Sequence, residues 1–217
     1  MFQLEITEKN KETNFLYHIK FKPTKEIYEQ YKVPGQYGIF NVNGNTKLYF
    51  AFANAPLIYP EWEILVKNVN EFTNQILQSD FVYLETIEGK GFPLEKLEYK
   101  KISAFAMGSG IAPIRALIQY YLNRKINLTE LELWMCCFTF EDLPFKNNFK
   151  EWESFFKIHY VFDKETPYEN VVQKLKRNKI DFFDRTVIWI GSKEYGLDLK
   201  NCLLELGLSE SQFLSNI

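Results

Sequence analysis

The feature that most limits what this chain can become is a change of hydrophobic period near residue 100. Upstream, apolar side chains recur at every second position: Phe2, Leu4 and Ile6, then Phe15, Tyr17, Ile19 and Phe21, then Trp62, Ile64 and Val66. Such alternation buries one face of a strand, and turn signals such as VPGQ and VNGN separate the runs. The expected product is a small antiparallel barrel or sandwich, interrupted by a short helix over Glu71 to Gln78, where Phe72, Ile76 and Leu77 share a face.

Downstream, strands expected at Ile102 to Met107, Leu131 to Phe138, Lys157 to Phe162, Thr186 to Ile190 and Gln212 to Asn216 alternate with helical patterns. The helices are expected at Pro113 to Asn123, Asn147 to Phe155, Tyr168 to Arg177 and Leu197 to Leu206. Alternation of that kind implies right-handed crossovers and a parallel sheet. The junction, LEKLEYKK, is short and charged, so two domains packed about a cleft are expected.

Composition narrows the function. The 217 residues are 46% hydrophobic, enough for one large core or two compact ones. Basic and acidic residues nearly balance, at 26 and 28, and no stretch gathers Lys and Arg into a one-signed face, which argues against nucleic acid as a partner. The opening MFQLEITEKNKE lacks the apolar core of a secretory signal, and no later run reaches membrane-spanning length, so no membrane association and a cytoplasmic location are expected. Cys136, Cys137 and Cys202 form neither an even framework nor a CxxC pair. They read as buried small hydrophobes rather than as a disulfide scaffold, a zinc site or a cluster held by this chain. His18 and His159 stand alone, with no evident nucleophile beside them, and read as surface or strand residues.

The segment nearest to chemistry is AFAMGSGIAPIRALIQYYL, Ala104 to Leu122. Strand ISAFAM runs into GSG, and Ile114, Leu117, Ile118, Tyr121 and Leu122 then fall on one helical face. Gly108 and Gly110 permit positive backbone dihedrals and close approach of a ligand, and Pro113 suits the first helical turn. Free amides at that helix start are placed to hold a pyrophosphate. The third glycine of the usual dinucleotide fingerprint is missing, and no P-loop Lys-Ser/Thr follows. Alone, the turn reads equally well as a nucleotide site or as a tight corner.

Further segments resemble the ferredoxin-NADP reductase-like family, in order and over nearly the whole chain. VPGQYGIF (33–40) is similar to its barrel segment, YFAFANAP (49–56) stands at its flavin motif, and EGKGFPL (88–94) is similar to the glycine-rich segment ending the barrel. VIWIGSKEYGLDLKNCLLELGLSESQFLSNI is similar to its closing strand, helix and strand.

The resemblance implies an N-terminal antiparallel Greek-key β-barrel over residues 1–98 and a C-terminal α/β parallel-sheet nucleotide-binding domain over residues 99–217. It implies a flavin, FAD or alternatively FMN, held by Tyr49, Phe50, Ala51, Phe52, Ala53, Asn54, Gly89, Gly91 and Phe92. It also implies NAD(P)H held by Gly108, Ser109, Gly110, Ala112, Pro113, Gly191 and Ser192. The cofactors would carry the redox chemistry by hydride transfer, with the reacting atoms about 3 to 3.5 Å apart, so no catalytic side chain and no metal site is assigned. The electron acceptor would be a redox partner protein or a small molecule.

This sequence departs from the family pattern in both halves. Leu48 stands where an Arg pairs the flavin phosphate, Phe50 replaces Tyr and Ala51 replaces Ser. Loss of the guanidinium and the hydroxyl should weaken flavin binding by about 2 to 4 kcal/mol unless backbone amides compensate. Lys47 offers charge without the fork. Cys136 and Phe138 stand where Gly and then Arg or Ser commonly meet the nucleotide, and no basic residue is evident for a 2′-phosphate, so NADH is preferred over NADPH. Ile190 precedes Gly191 where many relatives carry Cys. The expected function is therefore a flavin-dependent NAD(P)H oxidoreductase, and the alternative is a non-catalytic nucleotide-binding or assembly subunit on the same scaffold.

Overall fold

The computed structural model describes residues 1–42, 44, 46–164 and 170–215. The chain divides into two compact units, Met1–Pro93 with Ala112–Lys125 and Leu94–Ile111 with Ile126–Ile217.

The first unit holds β1 (Phe2–Lys11), β2 (Leu16–Phe21), α1 (Lys25–Tyr28), β3 (Tyr37–Val42), β4 (Thr46–Ala51), β5 (Trp62–Lys67), α2 (Glu71–Gln78) and β6 (Phe81–Glu88). Its strands pair antiparallel in the order β4-β3-β6-β1-β2-β5. An isolated antiparallel bridge between Phe52, just past β4, and Ile64 of β5 brings the two edges of the sheet together at one point. The alternating apolar residues meet inside: Phe21 stands edge-on to Phe40 at 5.7 Å and to Trp62 at 6.3 Å, and Tyr31 stacks on Phe52 at 4.3 Å. Helix α2 occupies the expected residues because Asn70 and Thr73 form a reciprocal capping box ahead of its apolar face.

The second unit adds α3 (Leu94–Leu97), β7 (Lys101–Met107), the start of α4 (Ile111–Leu122), β8 (Glu130–Cys137), α5 (Lys146–Trp152), β9 (Lys157–Phe162), α6 (Val171–Asn178), β10 (Arg185–Ile190), α7 (Lys193–Glu205) and β11 (Phe213–Ser215). From Ala112 onward, α4 groups with the first unit. All strand pairs are parallel, in the order β11-β10-β7-β8-β9. The sheet thus grows from β7 through β8 to β9, and the chain then returns to the other side of β7 to lay down β10 and β11. Phe105, Trp134 and Trp189 bury against Val171, Leu175, Leu199 and Leu203 to form its core.

Element ends differ from expectation for local reasons. Helix α7 begins at Lys193 rather than Leu197 because Ser192 caps it and Gly196, which resembles a break, lies inside the helix where a Cβ would overlap the Trp189 indole. Helix α5 stops at Trp152, short of Phe155. Of the expected segments, Tyr168 and Glu169, Asn216, and the two Asn of VNGN, Asn43 and Asn45, lie outside the described residues. Among the described residues no helix is long and apolar enough to cross a membrane.

Candidate functional site

In the second unit the candidate nucleotide residues converge where the order of strands reverses. Ala106 and Ile190 are in register across β7 and β10, so the turn after β7 and the turn after β10 emerge side by side. Crevices beyond the carboxyl ends of parallel strands, at such a reversal, are where open α/β sheets bind ligands. Gly108 to Gly110 form one 3-10 turn there, closed by the Ile111 N–H on the carbonyls of Gly108 and Ser109. Gly108 has φ +54°, and a Cβ on it would meet nothing within 4 Å. Gly110 is needed for another reason, because a Cβ there would overlap the Ile190 carbonyl oxygen. Gly191 packs against the Trp189 ring, with a Cβ position 3.0 Å from the Met107 Cβ.

The structure therefore brings Gly108, Ser109, Gly110, Gly191 and Ser192 together. Ser192 also caps α7 by accepting the Tyr195 N–H, and its carbonyl accepts the Trp189 indole N–H at 3.2 Å. Ala112 and Pro113 are buried in the first turn of α4, the part of the helix that groups with the first unit.

Beyond β8 the surface turns aromatic. Phe138 and Phe140 are half-exposed, with the Lys164 ammonium 4.4 Å from the first ring and the Lys146 ammonium 4.7 Å from the second. The Asp163 N–H donates to the Cys137 carbonyl at 2.9 Å, while Asp163 Oδ1 is buried with no hydrogen-bond partner among the described residues. Burial pushes that carboxyl up. Burial likewise raises the Cys136 thiol and brings the Cys137 thiol to about 12, so neither supplies a thiolate near neutral pH.

In the first unit the candidate flavin residues divide into two groups. Tyr49 is 61% exposed, its ring 6.1 Å from Tyr37, and Phe50 and Ala51 keep partial exposure. Phe52, Ala53 and Asn54 are fully buried, and the chain itself takes up their polar groups. The Ala53 N–H donates to the Glu63 carbonyl at 2.7 Å, and its carbonyl accepts from Arg115 at 2.6 Å. The Asn54 amide donates to the Glu61 carbonyl and accepts the Glu63 N–H, and its carbonyl accepts the Tyr31 hydroxyl at 2.6 Å. Leu48 and Phe50 pack on the barrel core. Lys47 is held 2.6 Å from Glu85, which also accepts from Asn41.

The glycine-rich segment packs closely against other stretches of the chain. Gly91 has φ +70°, and its Cβ would lie 2.6 Å from Val33 Cγ1 and 2.8 Å from the Pro34 carbonyl oxygen. A Cβ on Gly89 would lie 3.0 Å from the Tyr37 ring. Gln36 accepts the Lys32 and Val33 N–H groups and donates to the Gly89 carbonyl, and the Phe92 N–H donates to the Pro34 carbonyl at 2.8 Å. VPGQ and EGKGFP thus form one interlocked knot.

Sequence reasoning missed the buried charges. Glu63 accepts from Arg115 at 2.6 Å and meets His18 at 2.8 Å. Burial opposes ionisation of Glu63, but the His18 bond and the Arg115 charge outweigh it and hold the carboxyl below its usual range. In the second unit Glu132 accepts from Ser103 at 2.5 Å, meets Arg185 at 3.2 Å and His159 at 3.3 Å. Burial again opposes ionisation, and the His159 and Ser103 bonds with the Arg185 charge bring that carboxyl to about 2. The available signal was a charge inside a buried run, as in WEILV and ELELW. Both histidines lie in strands, each beside a carboxylate.

No family model matches the chain. Sulfhydrogenase 2 subunit gamma of Pyrococcus furiosus is 24% identical over 147 residues, 66% of this chain and 49% of that protein, so this chain spans about half its length. Among solved structures, a ferredoxin NADP+ reductase from Neisseria gonorrhoeae with bound FAD and NADP matches with TM-score 0.82 at 17% identity, over 99% of this chain and 97% of that one. A flavohemoglobin from Malassezia yamatoensis with bound FAD and heme matches at 0.81 and 16%, over 99% of this chain and 59% of that one. Phthalate dioxygenase reductase matches at 0.79 and 16%, over 99% and 67%. An antiparallel six-stranded sheet followed by a parallel five-stranded one, in the arrangement these structures share, gives this chain the ferredoxin-NADP reductase-like fold.

Proposed function

We propose that the chain is a flavin-dependent oxidoreductase that passes electrons between NAD(P)H and an acceptor. The observation that carries this reading is the open glycine turn at the strand reversal, in a fold whose solved counterparts are described with FAD and NADP. A nicotinamide nucleotide fits there: Gly108 leaves room where a side chain would stand, and Ser109, Gly110, Gly191 and Ser192 line the turn. A flavin fits the exposed end of β4, where Tyr49, Phe50 and Ala51 present aromatic and backbone surface, but Leu48 gives its phosphates no guanidinium. A bound flavin would supply the hydride-accepting centre, and this chain's residues bind and orient.

NADH is the preferred donor in this reading, because the Asp163 carboxyl beyond β9, whose Oδ1 has no partner among the described residues, disfavours a 2′-phosphate. The acceptor is a redox partner protein or a small molecule; the sulfhydrogenase match is to a subunit of a larger assembly. The test is to add FAD or FMN to the purified chain and then NADH without oxygen. Flavin uptake followed by bleaching of its visible absorbance is expected, and a chain that takes up neither flavin sinks the reading. A kcat/KM ratio favouring NADPH would assign Lys146 and Lys164 to a 2′-phosphate instead.

A second reading, a non-catalytic nucleotide-binding or assembly subunit, rests on Leu48 packing against the barrel core and Lys47 being held by Glu85. Calorimetric binding of NADH without flavin uptake would favour it.

A further inference from the structure

Helix α4 leaves the glycine turn and sends two polar side chains onto the buried segment that follows β4. Arg115 and Gln119, four residues apart, share one face of the helix. Arg115 donates to the Ala53 carbonyl and to the Glu63 carboxylate, each at 2.6 Å, and Gln119 accepts the Ala55 N–H at 2.8 Å. Arg115 is only 7% exposed, so these charge-assisted bonds act away from bulk water, where they are strong and directional. Glu63 is itself bridged to His18 on β2, so the fastening reaches from the helix through β5 into the barrel wall.

Ala53 and Ala55 are buried and present no surface of their own. What they fix is the path of the chain immediately after Tyr49, Phe50 and Ala51. Only Phe52 lies between the Ala53 carbonyl and the exposed end of β4, and its bridge to Ile64 ties that stretch to β5, the strand that carries Glu63. A displacement of the Ala53 carbonyl would therefore strain the one link to the end of β4. Arg115 therefore does two jobs with one group: it neutralises a buried carboxylate and it sets the position of a backbone carbonyl.

We propose that Arg115 and Gln119 are positioning residues for the flavin, holding residues 53–55 so that the end of β4 presents a fixed surface to the isoalloxazine ring. The proposal rests on the reading that a flavin binds there. Neither residue touches the ring; both act through the backbone they hold.

The test titrates FMN and FAD into the full chain and its variants, recording dissociation constant, bound-flavin absorbance spectrum and melting temperature together. Gln119→Leu removes one neutral bond and leaves the Ala55 N–H without its acceptor, so it should weaken flavin binding roughly three- to tenfold, with an altered bound spectrum and a melting temperature lowered by a few degrees. Arg115→Met paired with Glu63→Gln removes the ion pair without stranding a charge, and should weaken binding roughly 10- to 100-fold. Arg115→Lys, which keeps the charge and one donor, should recover part of the affinity and the parent spectrum. Gln119→Leu carries the test if the double variant fails to fold. Wild-type affinity and spectrum in the folded variants would overturn the proposal alone, whereas a parent chain that binds no flavin would overturn it together with the reading beneath it.

Discussion

Gly91 and Gly108 adopt the same left-handed backbone, φ +70° and +54°, yet the first is closed in by Val33 and Pro34 while the second faces open space. Both belong to glycine-rich segments that resemble cofactor loops. In the barrel the glycine admits another stretch of the same chain, and at the strand reversal it leaves open space beside the turn. A glycine at a tight site reports close approach, but only its surroundings say what approaches. Gly110, two residues from Gly108, falls on the first side of this divide, since the Ile190 carbonyl occupies the place of its Cβ.

Four substitutions sharpen the contrast, and their expected effects on stability descend in order. Gly110→Ala forces the turn away from the backbone of β10 and should cost about 4 kcal/mol or prevent folding of the second unit, read by chemical denaturation. Gly91→Ala meets Val33 and Pro34 from a left-handed backbone and should cost about 3 kcal/mol, while the folded fraction binds NADH as the parent does.

The third concerns Glu132, whose carboxyl lies at about 2 in the folded chain against a reference of 4.5. A depressed folded value means the unfolded chain binds the proton first, so this stabilisation is whole above about pH 4.5 and drains as pH falls through about 2. It amounts to about 2 to 3 kcal/mol. Glu132→Gln should flatten the acid limb of the stability profile between those values, and an unchanged limb would contradict the assignment. Gly108→Ala is the mildest for folding, about 1 kcal/mol from the backbone alone, because no atom stands in the way. It should nonetheless weaken NADH binding about tenfold, as the new methyl takes the space a ligand uses. Parent affinity in Gly108→Ala would place the nucleotide elsewhere.

The two sheets were legible in the sequence because period two and alternating strand and helix survive in the residues that face the cores. Strands β4 and β6 were hidden, since Tyr49, Phe81 and Tyr83 put aromatic residues on the outward face and blur the alternation. The glycine positions were legible and their surroundings were not: a Cβ on Gly89, Gly91, Gly110 or Gly191 would meet neighbouring chain that no local pattern reveals. Arg115, Gln119 and Glu63 were invisible for a related reason. Arg115 lies 52 residues from Glu63 and 62 from Ala53, and no local pattern joins positions so far apart. A lone Arg in an apolar helix and a lone Glu in a buried strand each look like an accident until they meet.

The central claim, that the open turn at the strand reversal binds a nicotinamide nucleotide while the barrel glycines serve the fold, is tested most directly by following backbone amide resonances during an NADH titration. The largest shifts are expected on Ser109, Gly110, Gly191 and Ser192, with Gly89 and Gly91 unmoved. Shifts centred on Gly89 and Gly91, with the turn after β7 silent, would contradict it.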